Sequence, residues 1–191
     1  MTIAEPIKRR WSREEYYRMA QAGIFRDQRV ELIDGEVLSM APQGSQHFTA
    51  ICLAHDALEK AFGAGFVVRV QGPLGVSADC EPEPDLAVVR GNPRDFAAKP
   101  HPSIALLVVE ISDTSLAFDR ADKGSLYASA GIADYWIVNL IDRQIEVHRR
   151  PVSDPAARFG YAYTDKTIIS SGQMIKPLSA SAEIPAVDLL V

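Results

Sequence analysis

The sequence predicts a protein of the α/β (α+β) class: a mixed central β-sheet flanked by helices, preceded by an N-terminal helix and a β-hairpin. Three observations predict it. The run Ile104 to Ile111, IALLVVEI, is apolar at nearly every position and marks a central strand covered on both faces. Segments with helical spacing are interleaved with β-rich runs along the chain. The length of 191 residues suits one domain, taken as 1–191. A chain of this size buries roughly 70% of its unfolded surface, so it needs no disulfide or metal staple to fold.

The elements follow in order. Ser12 to Ala22 opens with a serine and has Glu15 three residues on, a capping box that starts a helix. In RVELIDGEVLSM, Arg29 to Met40, two alternating runs flank Asp34-Gly35, the signal of a tight hairpin. Ser45 to Phe62 carries Phe48, Ile51, Cys52, His55, Leu58 and Phe62 at helical spacing and reads as an amphipathic helix packed on the sheet. Phe66 to Val70 is β-rich and is broken by Pro73 and Gly75. EPEPDLAVV ends in a strand over Asp85 to Val89, followed by a proline-rich loop from Asn92 to Pro102. After the apolar central strand, Asp119 to Ala130 suits a helix stopped by Gly131. Tyr135 to Leu140 and Gln144 to Arg150 make two strands around Ile141-Asp142-Arg143, and the tail from Phe159 reads as short strands and loops. There is no repeat and no low-complexity block.

Hydrophobic residues at 47% and charged residues at 24% exclude a disordered tail, a collagen-like fibre and a coiled coil. Twenty basic and 25 acidic side chains leave a net charge of −5, which argues against holding nucleic acid by bulk charge. It leaves room for a nuclease, in which a local basic groove and metal ions supply the positive charge. No apolar run approaches the roughly 18 residues of a membrane span. The N-terminal MTIAEPIKRRW has no apolar stretch behind its basic cluster, so export is not expected and a cytoplasmic location is. Cys52 and Cys80 form no CxxC and read as small packed residues in a reducing compartment.

Several chemistries lack their motifs. There is no GxxxxGK[ST], no GxSxG and no HExxH, and Gly63 and Gly65 precede a strand rather than follow one. The acidic residues say more. Asp85 follows Pro84 at the mouth of a strand, and Glu110 ends the apolar run ALLVVE. A carboxylate there is costly unless paired, metal-bound or exposed. If the two strands are neighbours, the carboxylates converge and call for a cation, which suits an all-oxygen magnesium site; the alternative is two solvated strand ends. Lys123, on the following helix with Asp119 four residues before it, is either an exposed ion pair or a cation turned toward those acids. Glu31 is a surface strand residue or a further acid facing the site. Tyr127 shares the helix face of Lys123 and packs or lines the site. His47 caps its helix, is solvated, or lies near the site. Ser112 and Asp113 read as loop caps.

Taken together, RVELIDGEVLSM, EPEPDLAVV and VVEISDTSLAFDRADKGSLYASAGIADYWIVNL resemble the Uma-two proteins, restriction-endonuclease-like members of the PD-(D/E)XK nuclease superfamily. The resemblance runs from Trp11 to Arg150 and extends weakly to IPAVDLL. It implies a restriction-endonuclease-like fold and divalent-metal-dependent hydrolysis of DNA phosphodiester bonds. It implies that Pro84-Asp85 is the PD element, Glu110 the second acid, Lys123 the lysine and Glu31 the acid of the N-terminal segment. The superfamily pattern often places lysine two residues after the second acid, where this chain has Ser112. On this reading Asp85, Glu110 and the backbone carbonyl of Ile111 hold Mg2+ or Mn2+, and His47, Tyr127 and Ser112 line the site. A homodimer suits cleavage of both strands of a duplex. Two alternatives stay open: a silent nuclease fold that binds a partner, and a phosphodiesterase acting on RNA or small nucleotides. For the latter, Lys8, Arg9, Arg10, Arg13 and Arg18 either track a polyanion or form a solvated basic helix.

Overall fold

The computed structural model describes residues 7–191; residues 1–6, the start of MTIAEPIKRRW, lie outside the described residues. Helix α1 (Arg13–Gln21) starts at the capping box: the Ser12 side chain accepts from the Glu15 amide, and the Glu15 side chain accepts from the Ser12 amide. Strands β1 (Val30–Ile33) and β2 (Glu36–Ser39) form the predicted hairpin. Asp34 (φ 55°) and Gly35 (φ 68°) both take positive φ, the conformation a two-residue hairpin turn of matching twist requires. Helix α2 is Ser45–Phe62. The strands β3 (Phe66–Val70), β4 (Leu86–Arg90), β5 (Leu107–Ser112), β6 (Asp134–Asn139), β7 (Gln144–Ser153) and β8 (Tyr161–Ser170) form one six-stranded sheet in that order. The β5–β6 pair is parallel and the other four pairs are antiparallel, so the sheet is mixed as expected.

The parallel pair needs a crossover, and a helical stretch over residues 116–129 supplies it. It opens as a short turn, α3 (Leu116–Phe118), widens into a π-helical segment at Asp119–Lys123, and closes as α4 (Gly124–Ser129). It thus begins three residues before the expected helix, and Gly131 follows it at φ 72°. A small pair, β9 (Met174–Ile175) with β10 (Ile184–Pro185), and a 3-10 turn at Ala186–Leu189 finish the chain.

Two apolar layers sandwich the sheet. On β5, Leu107, Val109 and Ile111 face α2, together with Leu86, Val88, Trp136, Val138, Ile145 and Val147. Val108 faces the crossover side with Ala87, Val89, Tyr135, Ile137 and Tyr127. Continuous apolarity in the middle of this sequence therefore reports a strand covered on both faces.

Three expectations are corrected. The stripe that α2 lays on the sheet includes Ala50, Ala54, Ala57 and Ala61 beside Ile51, Leu58 and Phe62, whereas Phe48 is 60% exposed and Cys52 is also exposed. Close approach of helix to sheet favours small side chains, so a search for large apolar residues misplaces part of the face. Of the two cysteines only Cys80 is packed, and its sulfur accepts from the Asp34 amide at 3.1 Å. The tail from Phe159 holds more than short strands, because β8 is ten residues long; it pairs with β7, which runs three residues past the expected Arg150, across a turn closed by Asp154 N–H to the Gly160 carbonyl. Among the described residues no helix is long and apolar enough to cross a membrane.

Ala54 is fully buried against the sheet. Ala54→Leu is expected to lower unfolding free energy by about 1–3 kcal/mol through overpacking, measured by urea denaturation. Leu53→Ala, which trims a partly exposed neighbour, is expected to change it less.

Candidate active site

Register brings the first two acids together. Leu86 of β4 lies opposite Val109 of β5, so Asp85, one residue before β4, falls level with Glu110. Each carboxylate then takes an amide of the other segment. Asp85 Oδ2 accepts from Ile111 N–H at 2.9 Å, and Glu110 Oε2 accepts from Asp85 N–H at 3.3 Å. The alternation of β5 turns Glu110 to the crossover side, away from α2. There Lys123 Nζ donates to Glu110 Oε1 at 3.0 Å and Tyr127 Oη donates to the same oxygen at 2.7 Å. Lys123 and Tyr127 are one turn apart, so one helix face supplies both donors.

Glu31 arrives from the hairpin. Leu32 and Glu81 exchange backbone hydrogen bonds, which dock β1 on the segment leading to Asp85. Glu31 Oε2 then accepts from Glu83 N–H at 3.1 Å and stands 3.4 Å from Lys123 Nζ. Glu81 also anchors α1, through Arg13 Nε at 2.5 Å and the Tyr17 hydroxyl. From α2, His47 Nε2 stands 3.2 Å from Asp85 Oδ1, and Gln71 Nε2 reaches the same oxygen at 3.3 Å. Glu31, Asp85, Glu110, Lys123, Tyr127 and His47 therefore meet at one place, with the Ile111 amide.

The flanking residues serve this cluster. Ser112 Oγ and Ser115 Oγ each donate to Asp119 Oδ2 at 2.6 Å. Asp119 is buried by that arrangement, and the exposed Asp119–Lys123 ion pair does not form. Asp113 accepts from Thr114 in the loop, as a cap does. The N-terminal basic residues have acidic partners: Lys8 with Glu36, Arg9 with Glu15, Arg10 with Asp34, Arg13 with Glu81 and Arg18 with Glu14. Lys8, Arg9, Arg10 and Arg18 make these pairs from exposed positions around the hairpin and α1, as the solvated alternative expects. Gln71, Glu83 and Arg29 were not singled out from sequence. Glu83 carried a signal, as an acid two residues before Asp85; Gln71 enters only through the pairing of Val70 with Leu86.

Glu31, His47, Asp85, Glu110 and Lys123 border a cleft of about 720 Å3, whereas Tyr127 and Ser112, expected to line the site, are fully buried behind it against Glu110 and Asp119. Its walls carry six carboxylates (Glu31, Glu83, Asp85, Glu110, Asp113 and Asp119) against Arg29, His47 and Lys123. Burial pushes Glu110 up to about 8, with Asp119 and Asp85 adding to the rise and Lys123 and Tyr127 opposing it. Its oxygens face donors on every side, as a carboxylate's do, so the rise measures how costly its charge is. Burial also raises Glu83 and Asp119. Asp85 goes the other way: burial raises it, but His47, the Ile111 amide and Lys123 together hold it below its usual range. Burial works against charge on Lys123 as well, yet Glu110, Glu31 and Asp119 outweigh it and keep the ammonium charged. Lys123 is therefore a donor and a counter-charge rather than a base.

The donors facing the cleft are oxygens, with one imidazole behind Asp85, which is the chemistry of a hard divalent cation. Among the described residues no three acidic, histidine or cysteine side chains are gathered closely enough to ligate one ion by themselves.

The chain matches the Uma2 family, described as "Putative restriction endonuclease", over residues 13–179. Among solved structures it is similar to one titled "Crystal structure of a putative nuclease belonging to DUF820 from Anabaena variabilis ATCC 29413", with a TM-score of 0.66 and 11% identity over 96% of this chain and 97% of that one. At that identity the likeness establishes the fold. No curated protein matches the chain.

Lys123 is the buried counter-charge of both Glu110 and Glu31. Lys123→Met is expected to cost about 3–5 kcal/mol of stability, because it strands two carboxylates out of water. Adding Glu110→Gln to that variant is expected to recover part of the loss, giving a coupling of about 0.5–3 kcal/mol in a double-mutant cycle by urea denaturation.

Proposed function

The chain belongs to the Uma2 family, and from that membership and the cluster described above we propose that it is a divalent-metal-dependent nuclease hydrolysing DNA phosphodiester bonds. The observation that carries the reading is the reach of Lys123 from the crossover helix to Glu110 at 3.0 Å, beside Asp85. It brings an acid–acid–lysine set together although Ser112, not lysine, stands two residues after Glu110.

The residues present fit a magnesium or manganese ion. Six carboxylates against three basic side chains leave the cleft short of positive charge, and three of those carboxylates are raised by burial. Asp85 accepts three hydrogen bonds, as does Glu110, so each has lone-pair capacity left for a cation. Asp85, Glu110 and the Ile111 carbonyl would hold the ion, with waters completing the shell that magnesium habitually keeps. Such an ion, when bound, lowers the pKa of a coordinated water and polarises a phosphoryl oxygen.

The protein's own groups do the rest. His47 and Gln71 fix the Asp85 carboxylate from one side, and the Ile111 amide fixes it from the other. Tyr127 and the Asp85 amide fix Glu110, leaving Lys123 to orient the attacking water and to offset charge that develops on the phosphate. Glu31 holds Lys123 at a second point, so the ammonium stays directed into the cleft.

Supercoiled-plasmid nicking tests this reading. Wild type is expected to nick with Mn2+ or Mg2+ and to stop with EDTA. The near-isosteric Asp85→Asn and Glu110→Gln, with folding checked by circular dichroism, are expected to lose roughly 100-fold or more of the rate. Equal rates in wild type and both variants would overturn the assignment. Manganese binding without cleavage of DNA or RNA would instead favour a silent nuclease fold.

A further inference from the structure

The cleft presents a second kind of surface that the metal chemistry does not use. Beside the carboxylates its lining carries Leu38, Met40, Ala41, Pro42 and Phe118. The hairpin register sets Leu38 directly opposite Glu31, so the two side chains share one face of the ladder. The Met40 amide donates to the Arg29 carbonyl at 2.9 Å, which places an apolar residue beside a basic one where the hairpin opens. Phe118 comes from the crossover turn and, half-buried, packs on the same small cluster as Leu38. A phosphate gains nothing from such a surface, whereas a sugar and a base do.

Burial and charge then say how a strand must be presented. Asp85, Glu110 and Lys123 are buried, so the phosphate that meets them has to enter the cleft. Besides His47, the basic side chains of the lining are Lys123, held between Glu110 and Glu31, and Arg29, half-exposed and only loosely held 3.5 Å from Glu83. A duplex carries about one negative charge per 1.7 Å of its axis and is held by matching many of those charges with lysine and arginine. Two cations in a chain of net charge −5 do not make such a track. The bases of a duplex are stacked inside it and cannot reach the apolar lining unless they leave the stack. The volume of about 720 Å3 lies within the roughly 300–1,000 Å3 of pockets that enclose a small ligand.

We propose that the cleft takes one unpaired nucleotide of a DNA strand, either single-stranded or extruded from a helix, with its base and sugar against Leu38, Met40, Pro42 and Phe118 and with Arg29 exchanging Glu83 for the neighbouring phosphate. This occupancy rests on the nuclease reading above and adds to it the form in which the substrate arrives. Stacking and apolar contact supply the affinity that phosphate contacts alone do not, and they accept any base, because every base has a π-face. Negative supercoiling favours local opening of a duplex, so nicking of a supercoiled plasmid agrees with it.

The test measures binding of an end-labelled DNA oligonucleotide to the full-length chain by fluorescence anisotropy, in Ca2+ to supply the charge of the cation. The oligonucleotide is offered single-stranded, in a matched duplex, and in a duplex with one mismatch. The single strand is expected to bind at least about tenfold tighter than the matched duplex, with the mismatched duplex between them, because a mismatched base costs less to extrude. Met40→Ala and Phe118→Leu, the second keeping an apolar side chain toward Leu38 while removing the ring, are each expected to weaken the single strand about fivefold or more, with thermal melts matching wild type. Equal or tighter binding of the matched duplex, no saturable binding of the single strand, or unchanged affinity in both variants would overturn the proposal. The same oligonucleotides in Mn2+ separate it from the nuclease reading. A preference for the single strand without cleavage would sink that reading and leave the nucleotide site, and equal cleavage of single strand and matched duplex would do the reverse.

Discussion

Glu110 is the constraint around which this fold is arranged. It is a carboxylate on an interior strand, 3% exposed, in a sheet apolar on both sides. Such a group persists only if donors meet it, since an isolated buried charge costs far more than a packed hydrophobe returns. Two separate elements bring those donors: the segment entering β4 gives the Asp85 amide, and the crossover helix gives Lys123 and Tyr127. The hairpin then brings Glu31 to the far side of the same ammonium. The chemistry and the packing of this region are therefore one problem with one solution.

The π-helical widening at Asp119–Lys123 belongs to that solution. Five residues take part in a turn with an extra residue per hydrogen-bonded loop, which shifts the faces that follow. Ser112 and Ser115 hold Asp119 at its start, the Tyr135 hydroxyl donates to its carbonyl at 2.9 Å, and Lys123 at its end points to Glu110. The cleft carries an excess of carboxylates that this arrangement only partly offsets, so the empty charge balance belongs to the site rather than to the scaffold.

Much of this was legible before any coordinates. The hairpin at Asp34-Gly35, helix α2 and the central strand follow from turn chemistry and apolar spacing, which are local. Asp85 and Glu110 could be paired because one stands at the mouth of a strand and the other closes the apolar run ALLVVE, where a polar side chain is conspicuous. Lys123 could not be oriented, because a regular helix with Asp119 four residues earlier reads as a surface pair. Only the π turn and the two serines that capture Asp119 reverse that reading. His47 lies 38 residues from Asp85 and meets it through the packing of α2 on the sheet, which spacing does not reveal. The alanines of α2 were passed over because size, not periodicity, guided the choice of its buried face.

The most direct test of the central claim is anomalous diffraction from crystals soaked in Mn2+. The account predicts a manganese peak in contact with both Asp85 and Glu110, with Lys123 still within hydrogen-bond distance of Glu110. A peak away from these carboxylates, or none at saturating metal in crystals whose cleft is open to solvent, would contradict it.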